Sequence, residues 1–166
     1  MRLTPIILFV YNRPEHTRQT VEYLSKNKLA ESSKLFIFSD GPKNDKDKQK
    51  VFEVRKYLKR IKGFKEIRII EREKNLGLAN SVISGVSQIF QSFEKVIVLE
   101  DDIISSPSFL KFMNDALDFY KADKKYFLFQ DILIRLKFLT HITRMFSSLI
   151  GLHPGVGERG KTDGKK

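Results

Sequence analysis

Apolar and polar positions in residues 1–124 predict strands and helices in strict alternation. Four short apolar runs predict strands, and the first two of them are typical of buried strands in a parallel sheet. These runs lie at residues 4–11, 34–39, 67–70 and 95–99. Between and after them, apolar residues recur at three- and four-residue spacing, which predicts amphipathic helices. The predicted apolar stripe of the third helix ends at Phe93, and that of the fourth comprises Phe109, Phe112, Met113, Ala116, Leu117 and Tyr120. The predicted helices begin near Pro14, Asp45, Leu78 and Pro107.

A chain in which strands alternate with helices folds into a parallel sheet, because each helix carries the chain back across the sheet. The pattern therefore predicts an α/β fold with a doubly wound, mostly parallel sheet. In such sheets ligands bind beyond the carboxyl ends of the strands. The residues that follow each strand are consequently the first candidates for function.

Composition narrows the class of protein. The chain has 166 residues, which suffices for one domain with its own core and leaves little room for two. It has no Cys, and this excludes disulfide scaffolds, thiolate zinc sites, iron–sulfur clusters and cysteine nucleophiles. We expect a cytoplasmic protein, with peripheral association at the inner face of the membrane as an open alternative.

The net charge of +11 falls disproportionately in the last quarter of the chain. Residues 1–124 carry 23 basic and 17 acidic side chains, whereas residues 125–166 carry 8 and 3. Nucleic-acid binding requires aromatic residues interleaved with basic ones on an exposed surface. Because the Phe residues fall mostly at core spacing, we expect no nucleic-acid partner.

Three adjacent acids, Glu100, Asp101 and Asp102, follow the fourth apolar run. They repel one another, and stability alone gives no reason to place them together. Mg²⁺ or Mn²⁺ relieves such repulsion by binding one or two carboxylates and completing its shell with phosphate oxygens and water. The alternative is that these acids only favour the N-terminus of the next helix. Since that helix begins several residues later, the pattern favours a metal site.

Polar residues also follow the other three runs. Asp40 follows the second run in an Asp-Gly-Pro turn and, taken alone, is an ordinary turn residue. Residues 75–80 lie beyond the third run, and their small and amide side chains either let a ligand approach the backbone or form an ordinary helix cap. The remaining candidates at these two places and after the first run are Tyr11, Asn12, Arg13, Asn75, Gly77 and Asn80.

At these residues the sequence resembles the GT-A class of nucleotide-sugar glycosyltransferases, in particular the bacterial family-two type and the N-acetylglucosaminyltransferase I-like group. Four segments carry the resemblance, in the family's order. They are PIILFVYNRPEHTRQTVEYL, FIFSDGPK, NLGLANSVISGV and VIVLEDDIISSPSFLKFMNDAL. The resemblance implies that residues 1–124 form the Rossmann-like, nucleotide-diphospho-sugar-binding half of a GT-A domain.

The resemblance also implies a role for each candidate residue. The three residues after the first run would line the nucleotide site, and Asp40 would contact the base. Asn75, Gly77 and Asn80 would lie near the ribose and the donor sugar. The three adjacent acids resemble the family's DxD-type motif, in which Asp102 would bind the metal while its two neighbours face the ribose and sugar.

By this resemblance the protein transfers a sugar from a nucleotide-diphosphate donor, most commonly a UDP-sugar, to a glycan or lipid-linked acceptor in polysaccharide biosynthesis. The divalent metal, Mn²⁺ or Mg²⁺, neutralises the diphosphate as the leaving nucleotide gains charge. A carboxylate base then assists the acceptor hydroxyl. No position in this chain matches the family's base, so the catalytic residue is unknown and we expect weak or no transfer.

Two other functions remain open. A Mg²⁺-dependent phosphohydrolase on a similar sheet would also use clustered acids, but it needs a nucleophilic Asp after the first strand, where this chain has Tyr11 and Asn12. A non-catalytic basic module would bind nucleic acid or anionic lipid through residues 125–166. Neither explains the acidic cluster and the Asn-rich helix start together.

Residues 125–166 depart abruptly from the family's pattern, and the chain has no Trp where relatives have a Trp-rich block. A codon for Gly that follows a T reads as Trp one nucleotide earlier. Four glycines, Gly155, Gly157, Gly160 and Gly164, are spaced as that block requires. We therefore hypothesise a frameshift near Lys124, which would make residues 125–166 an out-of-frame, basic tail. The competing interpretation is a genuine basic amphipathic helix on membranes.

Sequencing the gene across the codon of Lys124 tests the frameshift hypothesis. We expect the alternative frame to stay open and to carry four Trp codons in the places of the four glycines. Stop codons in that frame, or other codons at those places, would contradict the hypothesis.

Overall fold

A computed structural model of the chain describes residues 3–119, which form alternating strands and helices. The strands are β1 (Ile6–Val10), β2 (Lys34–Ser39), β3 (Glu66–Glu71) and β4 (Ile97–Glu100). The helices are α1 (Pro14–Ser25), α2 (Asp45–Leu58), α3 (Leu78–Phe90) and α4 (Phe109–Phe119), with a short 3-10 turn at Ala30–Ser32. Each predicted strand and helix is present, whereas the 3-10 turn has no counterpart in the prediction.

The four strands form one parallel sheet in the order β3-β2-β1-β4, which confirms the predicted fold class. From β1 the chain moves outward to β2 and then β3, and it returns across β1 to reach β4. The direction of winding therefore reverses between β1 and β4. In a doubly wound sheet, this reversal opens a crevice at the carboxyl ends of the two strands.

One face of the sheet carries the main hydrophobic core. Alternate residues of β1, β2 and β4 point to this face, as the period of two in a strand requires. Side chains from α1, α2 and α4 cover them, so these three helices share one face. Its fully buried members include Leu8, Leu24, Ile37, Leu58 and Leu110.

The opposite face packs against α3. The rings of Phe9 and Phe38 stack on this face with centroids 5.4 Å apart. A Cβ on Gly85 would lie 2.8 Å from the ring of Phe9, so α3 approaches the sheet closely only because residue 85 has no side chain. Phe93, predicted in the apolar stripe of α3, lies beyond its last residue and packs edge-on against Phe36.

Helix α4 differs from its prediction on one side. Met113 is buried and Phe109 packs against the core, as the spacing predicts. Phe112, predicted on the same face, is 56% exposed, because it lies one position before Met113 and so points about 100° away from it around the helix. Tyr120 and the predicted tail, residues 125–166, lie outside the described residues.

Two buried asparagines attach α4 to the rest of the fold. The side chain of Asn114 accepts a hydrogen bond from the backbone N–H of Thr4 at 2.9 Å. The side chain of Asn27 accepts one from the N–H of Leu110 at 3.0 Å and donates one to Ser105 Oγ at 2.9 Å. In this way the residues that follow β4 are held against the end of α1. Within residues 3–119, no helix has the length and apolar character that crossing a bilayer requires.

We expect Asn27→Ala to destabilise the fold by about 2–3 kcal/mol, because it leaves the N–H of Leu110 and the hydroxyl of Ser105 buried without their partner. Chemical denaturation measures the free energy of unfolding. Gln88→Ala, an exposed change on α3, is the control and should stay within about 0.5 kcal/mol of the wild type. Equal destabilisation by the two changes would contradict this account of how α4 is attached.

Candidate functional site at the carboxyl edge of the sheet

Four loops leave the carboxyl ends of the strands. They comprise residues 11–13 after β1, 40–44 after β2, 72–77 after β3 and 101–108 after β4. We call this set of loops the carboxyl edge. Every site residue predicted from the sequence lies on it, except Glu100, which ends β4 in register with Phe9 of β1, and Asn80, which lies in the first turn of α3.

Arg13 joins the loop after β1 to the acids after β4. Its Nη1 lies 3.1 Å from Asp102 Oδ2 and 3.7 Å from Asp101 Oδ1. Asp101 is buried and Asp102 is exposed. Two predicted groups, one from each side of the reversal in winding, therefore meet in a direct contact.

Burial raises the pKa of the Asp101 carboxyl, since a charge is costly away from water. The guanidinium of Arg13 opposes that rise, while the neighbouring charge of Asp102 adds to it. In return Asp101 is the main cause of the raised pKa of Arg13. The acidic pair is thus a site with excess negative charge, in which the structure already places one cation.

Asp47, in the first turn of α2, holds the other two residues after β1. Its Oδ2 accepts a hydrogen bond from the Tyr11 hydroxyl and its Oδ1 accepts one from Asn12 Nδ2, each at 2.8 Å. The Tyr11 hydroxyl in turn accepts the backbone N–H of Lys43 at 3.0 Å. These contacts lower the pKa of Asp47. Burial, followed by the hydrogen bond to Asp47, raises the pKa of Tyr11.

Asp40 is buried and organises the loop after β3. Its carboxylate accepts the backbone N–H of Leu76 at 3.1 Å and that of Gly77 at 3.2 Å. The guanidinium of Arg72 lies 3.9 Å away. The contact between Asp40 and a base stays a prediction, and the carboxylate already binds the backbone of the loop.

Asn75 and Gly77 belong to the same loop. The Asn75 side chain donates to the carbonyl of Gly41 at 3.0 Å and accepts the N–H of Gly77, also at 3.0 Å. Gly77 has φ +75°, a left-handed conformation that glycine adopts without strain. At Gly41 a Cβ would lie 2.5 Å from the carbonyl oxygen of Glu73, so only glycine allows the two loops to touch. Asn80 is exposed and donates to the carbonyl of Leu76.

Two arginines complete the edge. Arg72 donates to Ser81 and Ser84 of α3, and its guanidinium lies 5.2 Å from the ring centroid of Phe38. Burial lowers its pKa. Arg55 of α2 donates to the backbone carbonyls of Ser39, Asp40 and Arg72 at 3.3, 3.4 and 2.6 Å. These contacts fasten the ends of β2 and β3 to the helices on either face.

The predicted metal site can be tested on its donor set. No cluster of three or more His, Asp or Glu side chains that could hold a metal occurs within residues 3–119. Asp101 and Asp102 supply two carboxylates, which fits a divalent cation that takes its remaining ligands from phosphate and water. They do not form an all-protein cage. Arg13, which contacts both carboxylates and balances one of the two charges, would have to give way to such a cation.

Sequence reasoning missed Asp47 and gave Arg72 no role. In the sequence Asp47 is indistinguishable from an ordinary acidic residue in the first turn of a helix. Its contacts with Tyr11 and Asn12 form only when the chain folds. Arg72 directly follows β3, so the rule that selected the other candidates could have selected it too.

Comparisons with known proteins found similar solved structures and a matching family model. Two solved structures from S. aureus match 72% of this chain: TarS, with 16% identity and a TM-score of 0.49, and TarS 1–349, with 15% and 0.47. The chain spans 20% of the first and 32% of the second. No curated protein sequence matches.

A family model matches this chain from residue 6 to residue 138, and its description is Glycosyl transferase family 2. The match begins with the first residue of β1 and takes in every strand and helix described above. Because it covers well over half of the chain, the protein belongs to glycosyl transferase family 2.

Proposed function

We propose that residues 1–124 bind a nucleotide-diphosphate sugar at the carboxyl edge and present it for transfer to an acceptor hydroxyl. The observation that carries this proposal is the meeting of Arg13 with Asp101 and Asp102 at the reversal in winding. A phosphohydrolase is not favoured, because no carboxylate follows β1 at residues 11–13.

The nucleotide would lie between the loops after β1, β2 and β3. Tyr11 is half-buried and is fixed by Asp47, so its ring offers a positioned surface to a base. A carboxylate has about four acceptor positions, and three contacts with two backbone N–H groups leave Asp40 able to accept one more. Asn75, Gly77 and Asn80 form the adjoining loop and helix start, where the ribose and sugar would lie.

The diphosphate would lie toward Asp101 and Asp102. A divalent metal, Mn²⁺ or Mg²⁺, would be held by Asp102 and would neutralise the diphosphate as the leaving nucleotide gains charge. Arg13 would then leave the carboxylates, and its guanidinium would become a cation available to a phosphate oxygen. Glu100 and Asp101 would face the ribose and the sugar.

We infer a UDP-sugar donor and a glycan or lipid-linked acceptor in polysaccharide biosynthesis, with the N-acetylglucosaminyltransferase I-like group as the model. No catalytic base is assigned within residues 3–119. We propose that transfer is weak or absent, because the family match ends at residue 138 and the Trp-rich block of relatives is missing, which the hypothesised frameshift would explain.

We expect the wild-type chain to bind UDP more tightly in the presence of Mn²⁺ than in its absence, as measured by isothermal titration calorimetry. Asp102→Ala should weaken binding in Mn²⁺ at least about 10-fold, since a charged hydrogen-bonding or metal-binding partner contributes roughly 1.5–3 kcal/mol. Asp115→Ala is the control, because Asp115 is an exposed acid on α4 that pairs with Lys111 and does not belong to the carboxyl edge.

Two results would count against the proposed site. One is a wild-type chain that does not bind UDP with or without Mn²⁺. The other is an Asp102→Ala variant that binds as tightly as Asp115→Ala. An Asp102→Ala variant that binds UDP as the wild type does without Mn²⁺, but no more tightly when Mn²⁺ is added, would support the metal role of Asp102 in particular.

Asp47 should act as a positioning residue for Tyr11 and Asn12. We expect Asp47→Ala to weaken UDP binding about 3- to 10-fold, because two side chains lose their fixed orientation. The pKa of Tyr11 should also fall, since the hydrogen bond to Asp47 contributes to raising it. Calorimetry measures the first effect and an ultraviolet tyrosinate titration the second.

Asp45→Ala is the matched control for Asp47→Ala, because Asp45 lies in the same turn of α2 and pairs with Lys48. It should leave both measurements unchanged. The hydrogen bonds from Tyr11 and Asn12 to Asp47 should persist at acidic pH. The lowered pKa of Asp47 keeps its carboxylate charged until the pH falls below the ordinary aspartate range. Identical behaviour of the two variants would show that Asp47 does not position Tyr11.

A further inference from the structure

A second concave surface begins at Pro42, next to the carboxyl edge, and continues along the outer flank of α2. It is a groove of about 560 Å³ that runs beside the end of β3, the edge strand of the described sheet. We call it the basic groove. Its charged lining residues are Lys48, Arg55, Lys56, Lys59, Arg60 and Glu71.

The charges of the basic groove are unbalanced, since five cations and one carboxylate of the described residues line it, although Lys48 also pairs with Asp45 outside the groove. Glu71 lies 3.5 Å from Arg55 and 3.7 Å from Lys59, so its charge is shared between these two cations. Within residues 3–119, Lys56 and Arg60 make no salt bridge, and both side chains are exposed. This surface therefore carries positive charge that the fold does not use.

Phe52 lies among these cations and lines the same groove. It is 59% exposed, whereas the core-facing positions of α2 are filled by the buried Val51, Val54 and Leu58. More than half of the Phe52 side chain is therefore available to a partner. An exposed ring beside exposed cations offers apolar contact together with electrostatic attraction, the two contributions that bind peripheral helices to anionic membranes.

The length of the basic groove indicates the kind of anion it fits. Residues 48–59 extend over roughly 16 Å along the axis at 1.5 Å per residue. One phosphate group cannot reach cations spread over that distance, whereas a surface that presents many phosphates can. The guanidinium of Arg55 has a fixed position in this surface, because it donates hydrogen bonds to three backbone carbonyls.

We propose that the basic groove docks the protein on an anionic phospholipid surface. The phosphates of the headgroups lie over Lys48, Lys56, Lys59 and Arg60, and the ring of Phe52 enters the boundary between headgroups and acyl chains. A single-stranded nucleic acid fits less well, because successive bases need several aromatic platforms and Phe52 is the one aromatic residue that lines this groove.

The proposal does not depend on nucleotide binding. It concerns the outer flank of α2, and its test contains neither nucleotide nor metal. A chain that fails to bind membranes would leave the proposed nucleotide site untouched, and a chain that does not bind UDP could still bind membranes.

Co-sedimentation of the full chain with vesicles tests the proposal. We expect binding to vesicles that mix phosphatidylglycerol with phosphatidylcholine and none to phosphatidylcholine alone. The double variant K56E/R60E should bind at least about 20-fold more weakly, because each cation near an anionic surface contributes about 5-fold to partitioning. Phe52→Ala should weaken binding about 3- to 10-fold, through lost apolar contact, without changing the charge.

K46E/K50E is the matched control for K56E/R60E. Lys46 and Lys50 are exposed, lie on the other flank of α2 and do not line the groove, while the change in net charge is the same. The Debye length of about 8 Å at physiological ionic strength limits their reach across the helix. The control should lose less than about 3-fold in vesicle binding, and circular dichroism should show that both variants are folded.

Three results would overturn the proposal. If K56E/R60E and K46E/K50E lose vesicle binding equally, the net charge of the chain, including that of residues 125–166, attracts it to the vesicles. The basic groove would then have no specific role. Unchanged binding of K56E/R60E would have the same consequence. A single-stranded oligonucleotide that binds through Lys56 and Arg60, in a chain that does not bind the vesicles, would assign the groove to a polymer.

Discussion

The reversal in winding between β1 and β4 places the ends of two strands from distant parts of the sequence side by side. Parallel pairing puts Phe9 opposite Glu100, so the residues that follow each must leave the sheet at the same place. Asp101 is buried there at a cost in free energy, and Arg13 offsets that cost from the neighbouring strand. The contact that supports the proposed function is thus a direct consequence of strand order.

The remaining strand ends are fastened to this pair by side chains that serve backbone groups. Asp40 holds the loop after β3, and Asp47 holds the two residues before Arg13. Arg55 donates hydrogen bonds to backbone carbonyls at the ends of β2 and β3, and it also lines the basic groove. The carboxyl edge and the basic groove therefore share one fixed guanidinium, which is why variants of the groove should change Lys56 and Arg60 and leave Arg55 intact.

The fold could be predicted from the sequence because its two central apolar runs, which form β1 and β2, are buried almost throughout. Residues 35–38 have no polar position to confuse the pattern, and the strict alternation with helices leaves parallel pairing as the solution. The acids at Asp101 and Asp102 could be found for the same reason, since they follow such a run directly. Family membership is confirmed, while the N-acetylglucosaminyltransferase I-like subtype, the metal and the frameshift remain predictions.

What the sequence could not provide is contact between residues on different elements. Asp47 resembles any helix-starting acid, and only the folded chain brings it to Tyr11. The contact of Asp40 with a base stays a prediction, and nothing in the sequence indicated that its oxygens also bind the N–H groups of Leu76 and Gly77. Phe112 shows the limit of spacing as a guide, because one position along α4 separates a core residue from an exposed one.

A crystal structure of the chain with UDP and Mn²⁺ tests the central claim most directly, because anomalous scattering locates the metal independently of the protein density. We expect a manganese peak beside Asp102, the diphosphate next to it, the base near Tyr11 and Asp40, and Arg13 turned away from the two carboxylates. A nucleotide bound elsewhere, with Arg13 still in contact with Asp101 and Asp102, would contradict the claim that this edge is the nucleotide-sugar site.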